Sequence, residues 1–228
     1  MNKLGSASED PHRGQPVLTA GRSVNEAEAA MILIHGRGAT AGSILQLAAE
    51  LDRPEFAFVA PQAAQNAWYP YSFLAPVEQN EPNLSSALRL VGTIVDDVLG
   101  ADIPRERLML LGFSQGACLT LEFTARNAGR YGGVVGLTGG LIGPDETPRN
   151  YKGQLEGTPV FIGTSDPDPH VPISRVEETA SVLERMGARV NTRVYPGLPH
   201  TINEDELKQV RSIMDQVLSG SANDRAAP

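Results

Sequence analysis

The sequence is short of cysteine, of basic residues and of long apolar runs, and each shortage excludes a class of protein. A single cysteine, Cys118, cannot close an intrachain disulfide, so a reducing, cytoplasmic setting is expected. Nineteen Lys and Arg face 27 Asp and Glu, for a net charge of −8. That balance argues against nucleic acid or an anionic membrane surface as the main partner. The longest apolar runs, such as Ala29–Ile34, are far too short to cross a bilayer, so stable membrane insertion is not expected. Residues 1–14 are polar and have no apolar centre of the kind a signal peptide needs. No internal repeat is present.

What the chain does have is short apolar runs alternating with amphipathic stripes. Its 228 residues suit one α/β domain. The expected layout is a disordered arm over residues 1–14, a domain over 15–218 and a flexible tail over 219–228. Runs at 17–20, 29–34, 56–60, 108–111, 134–138, 158–163 and 188–195 read as strands. Stretches 43–51, 83–99, 117–125, 173–186 and 207–217 read as helices with core-facing stripes. This alternation implies a mostly parallel central sheet with helices on both faces.

Gly112-Phe113-Ser114-Gln115-Gly116 follows the apolar run Leu108-Met109-Leu110-Leu111 and opens a helix rich in apolar residues. A strand, a sharp turn with a central serine and then a helix is the context of a nucleophile elbow. The turn strains the serine backbone and lifts its hydroxyl clear of the sheet. Gly112 and Gly116 remove side chains where strand and helix pass closest.

A serine needs a base, and there are four histidines. His12 lies in the polar arm. His35 opens His35-Gly36-Arg37-Gly38, and His170 sits in the Pro-rich segment 167–172. His200 ends a rigid loop after the last strand and precedes the last helix, where the base of an α/β-hydrolase belongs. A carboxylate must orient that base. Asp166 follows the strand at 158–163 and is favoured for being nearer the strand end, with Asp168 as its competitor. The chain order serine, aspartate, histidine is that of the α/β-hydrolases. The oxyanion cradle is expected from the backbone N–H groups of Gln115 and Arg37, the latter flanked by two glycines.

Together these residues resemble the phospholipase/carboxylesterase family of small α/β-hydrolases. The matching segments are Ile32 to Gly38, Ala60-Pro61-Gln62, Gly112 to Ala117, Gly163 to Pro172, and Tyr195, Gly197 and His200. The resemblance implies a single-domain α/β-hydrolase fold and a serine carboxylesterase that uses neither metal nor other cofactor. Its partner would be a small-molecule ester with a short or medium acyl chain. Lysophospholipase or thioesterase activity are close variants, and a catalytically silent receptor on the same fold is a third reading. A second copy of the chain, forming a homodimer, is the other candidate partner. Measured from Asp166, the aspartate loop is about two residues longer than the family's D-P-x-V-P spacing, and Ile162 stands where a histidine often precedes the glycine.

One long irregular segment, 61–82, carries Trp68, Tyr69, Tyr71 and Phe73, four of the twelve aromatics within six residues. Loops of this length in compact domains are usually functional or disordered, and the cluster of aromatics argues against disorder. These four are expected to wall the substrate pocket, with Leu141 and Leu198 completing an apolar rim; the alternative is a satellite core beneath a surface loop.

Overall fold

All six residues of β2 (Ala29–Ile34) are buried. Successive strand residues point to opposite faces, so β2 must be covered on both sides. The computed structural model, which describes residues 10–224, covers it accordingly. Ala30, Ile32 and Ile34 pack with α3 (Asn83–Gly100), α4 (Gln115–Arg126) and α5 (Ile173–Arg185). Ala29, Met31 and Leu33 pack on the other face with α1 (Ala41–Ile44), α2 (Leu47–Leu51) and α6 (Glu204–Asp224). A sheet buried on both faces explains why its strands read as continuous apolar runs rather than alternating ones.

The sheet has seven strands in the order β1-β3-β2-β4-β5-β6-β7. These are β1 (Val17–Gly21), β3 (Phe56–Pro61), β4 (Leu108–Phe113), β5 (Gly133–Leu137), β6 (Pro159–Asp166) and β7 (Arg189–Pro196), with β2 third in line. Only β1 runs antiparallel, along β3. The chain leaves β2 toward one edge and β4 toward the other, so the connections diverge at the β2–β4 boundary. Open α/β sheets place their sites at such a boundary, outside the carboxyl ends of the strands. Ile34 pairs with Gly112 there, which brings the loop after β2 level with the elbow after β4.

The structure departs from the sequence reading in four places that matter. The helix expected over 43–51 is two short helices, joined by a tighter turn in which the Ala48 and Ala49 N–H groups reach back three residues. Strand β6 runs on to Asp166 because β7 continues beside it as far as Pro196. The arm is not loose from residue 10 onward: His12 is fully buried, its N–H donating to Ser86 Oγ at 2.9 Å. Residues 219–224 continue α6. Residues 1–9 and 225–228 of the expected arm and tail lie outside the described residues.

Candidate active site

Ser114 stands at the junction of β4 and α4 with φ +55° and ψ −119°. An L-residue is strained there, and such strain persists only where the surroundings enforce it. A Cβ on Gly112 would strike the Gly116 carbonyl, and one on Gly116 would strike the Ile34 carbonyl. The two glycines therefore let α4 close onto β2 and β4 and hold the serine at the turn.

His200 joins the elbow to the loop after β6. Its Nε2 lies 2.9 Å from Ser114 Oγ and its Nδ1 lies 2.8 Å from Asp168 Oδ2. The imidazole is packed between the Phe113 ring, 5.2 Å away, and an edge contact with His170 at 5.1 Å. The carboxylate that meets His200 is Asp168, and the expectation for Asp166 is corrected. Asp166 is the last residue of the β6 ladder, where its carbonyl accepts from the Gly197 N–H at 3.0 Å and its side chain is exposed. The Asp168 side chain is fully buried. Its Oδ1 accepts from the N–H groups of His170 and Val171 at 2.8 and 2.9 Å, and its Oδ2 also accepts from Ser165 Oγ at 3.0 Å. Burial pushes this carboxyl up, but the His200, backbone and Ser165 donors together outweigh it and hold it below the usual range. A signal for this was present: Asp168-Pro169-His170-Val171-Pro172 fits the D-P-x-V-P spacing with no insertion.

Directly after Ser114, the N–H of Gln115 opens the first turn of α4, where amides have no intrahelical acceptor and the helix dipole is positive. In the loop after β2, the Gly38 N–H donates to Asn66 O at 2.7 Å, while the Arg37 N–H meets no acceptor among the described residues. Both residues border a cavity of about 530 Å³ that opens beside Ser114 and His200.

Tyr69, Tyr71 and Phe73 wall this cavity, together with His170 and Val171, which the sequence reading had not assigned to it. Trp68, Leu141 and Leu198 do not line it. Trp68 is wholly buried between His35 and His12, with ring separations of 4.9 and 5.4 Å, and its indole N–H donates to His35 O at 2.8 Å. It is core beneath the loop because its one polar atom finds a backbone carbonyl there. Burial lowers the pKa of both flanking histidines, and each ring nitrogen that receives an N–H, from Ala63 or Ala64, requires the neutral form. Leu141 is likewise buried, its carbonyl accepting from Arg175 Nη1 at 2.8 Å. Leu198 is half-buried on the turn before His200 but stays off the cavity wall. Among the described residues no group of three or more His, Cys, Asp or Glu is placed to hold a metal ion.

The loop bearing His200 is anchored at the start of α6. Asn203 Oδ1 accepts from the Asp205 and Glu206 N–H groups, and Glu206 Oε2 accepts from the Asn203 N–H at 2.9 Å. Glu206 is buried against Gly163, and burial raises its pKa to about 7. Its folded-state value therefore lies above the unfolded one, so its contribution is fully present at acid pH and is lost as pH rises toward 7. Glu206→Gln keeps the acceptor and removes the titration. The stability of this variant relative to the parent is expected to improve by roughly 2 kcal/mol between pH 5 and pH 8. Denaturant unfolding at the two pH values checks this, and an offset that stays constant with pH would refute it.

The family model described as Phospholipase/Carboxylesterase matches residues 21–218. The chain is 51% identical to the crystal structure of a phospholipase/carboxylesterase from Dyadobacter fermentans, covering 90% of this chain and 97% of that one with a TM-score of 0.85. It is 26% identical to acyl-protein thioesterase 1 of Kluyveromyces lactis over 88% of this chain and 98% of that protein. With acyl-protein thioesterase 1 of Debaryomyces hansenii the identity is 33%, over 57% of this chain and 56% of that protein. On the seven-stranded, mostly parallel sheet and these matches, the chain belongs to the phospholipase/carboxylesterase family of α/β-hydrolases, enzymes that act on ester bonds.

Proposed function

We propose that the protein is a serine carboxylesterase that hydrolyses short- to medium-chain carboxylic esters through an acyl-enzyme. The observation that carries this reading is the unbroken hydrogen-bond chain from Ser114 Oγ through His200 to Asp168, at 2.9 and 2.8 Å, beside an aromatic-walled cavity. Asp168 accepts the Nδ1–H of His200 and leaves Nε2 as the base. Nε2 takes the hydroxyl proton as Ser114 Oγ attacks the ester carbonyl, and the oxyanion is held by the Gln115 and Arg37 N–H groups. His200 then gives that proton to the departing alcohol, leaving Ser114 acylated. Water enters, loses a proton to His200 and attacks the acyl-enzyme, and the carboxylic acid leaves as Ser114 regains its proton.

The size and walls of the cavity support a small, uncharged acyl group. A series of p-nitrophenyl esters from acetate to palmitate, run beside matched acyl thioesters and a lysophospholipid, tests the reading. Highest kcat/KM is expected among the short and medium esters, with a steep fall at palmitate. A uniform preference for thioesters would favour the second reading, which the names of the yeast relatives support. Folded protein that turns over none of these would point to a silent receptor.

A further inference from the structure

The two residues whose amides are proposed to hold the oxyanion also reach one loop with their side chains. Gln115 Oε1 accepts from the Trp68 N–H and its Nε2 donates to Tyr69 O, both at 2.8 Å. Arg37 takes the next two residues, Nη1 donating to Pro70 O at 2.8 Å and Nη2 to Tyr71 O at 2.6 Å. Four successive residues are thus held, two from the elbow after β4 and two from the loop after β2. The Gly38 N–H on Asn66 O and the Trp68 indole on His35 O add ties from the β2 side. The same loop then turns Tyr69, Tyr71 and Phe73 onto the cavity wall.

We infer that residues 66–71 form a strut across the oxyanion cradle, with Arg37 and the Gln115 side chain as positioning groups that fix the spacing of the two amides. The inference rests on the Ser114 hydrolase reading. Oxyanion donors work because they are fixed before charge develops, and a displacement of about 1 Å can cost on the order of a hundredfold. Because the strut is also the acyl wall, an acyl group that seats well against it holds the amides in place. Selection among acyl chains then appears in kcat more than in KM.

Arg37 is the position to test, since its side chain is exposed. Gln115→Ala would leave the buried Trp68 N–H and Tyr69 carbonyl unpaired and endanger folding. In Arg37→Ala the backbone amide remains but its brace is gone. The measurements are melting temperature, kcat and KM across acyl lengths, and the affinity of a trifluoromethyl ketone, whose adduct with Ser114 sets an oxyanion in the cradle. Expected are near-parental melting, a fall of about tenfold or more in kcat, little change in KM and a flatter dependence of kcat on chain length. Ketone affinity should fall in step with kcat/KM, and Arg37→Lys should restore part of both. Unchanged kcat and ketone affinity, or a loss confined to KM, would overturn the strut. A parent protein that neither turns over esters nor takes a phosphonate on Ser114 would overturn the hydrolase reading and the strut with it.

Discussion

Ser114→Ala is expected to remove ester hydrolysis, with kcat falling roughly 10⁶-fold as in other hydrolases that lose this serine. Of the hydroxyl and thiol side chains lining the cavity, Ser114 is the one hydrogen-bonded to a histidine among the described residues. Cys118 borders it one helical turn beyond Ser114, but burial pushes its thiol up to about 12, so it stays protonated at neutral pH. The fold should survive, because alanine meets the same strain at φ +55° as serine does and loses only the hydroxyl that faces His200. A fluorophosphonate probe should label the parent at this residue alone and leave the mutant unlabelled. A folded mutant that keeps a sizeable share of its esterase activity would transfer the nucleophile to another group.

Much of the architecture was legible because burial on both faces writes itself into composition. Ile32, Leu110 and Val135 sit in apolar runs that only a covered strand tolerates. The meeting of Ser114 and His200 was legible because each sits in a local context, an elbow for one and the loop before the last helix for the other. Which carboxylate meets His200 was not, since the end of β6 is set by how far β7 runs beside it. The apolar run stops near Gly163, yet the ladder continues through Thr164, Ser165 and Asp166. Proximity to the apparent strand end therefore pointed to a residue inside the ladder rather than to the turn beyond it. The aromatic loop failed for a related reason. Composition gives Trp68 and Tyr71 equal claims on a pocket, and only tertiary partners divide them. Trp68 is sealed by His12 and His35, while Tyr71 remains 56% exposed at the cavity. His12 was read as part of a loose arm because a polar segment carries no pattern announcing that its histidine will be buried.

Asp168→Asn is expected to lower kcat by about 10⁴-fold, as when the triad acid is neutralised elsewhere, while Asp166→Asn stays near the parent. The physical difference lies in what each carboxylate does. Asp168 is ionised throughout the neutral range, its pKa held below the usual one, and it accepts from four donors. An asparagine there can turn its oxygen to the His170 and Val171 N–H groups, and its NH₂ then faces His200 Nδ1. The imidazole is forced into the other tautomer, with a proton on Nε2, and can no longer take one from Ser114. The carboxylate that would stabilise the imidazolium is gone as well. Asp166 is held through its backbone, in the ladder with β7 and by its carbonyl on the Gly197 N–H, and these bonds are indifferent to its exposed side chain. Both variants should be checked for folding by melting temperature, since Asp168 also braces the turn that carries His170 toward the cavity. Kinetics on one short-chain ester would decide the matter: equal losses in the two variants, or a larger one at Asp166, would mean that His200 is oriented differently in the working enzyme.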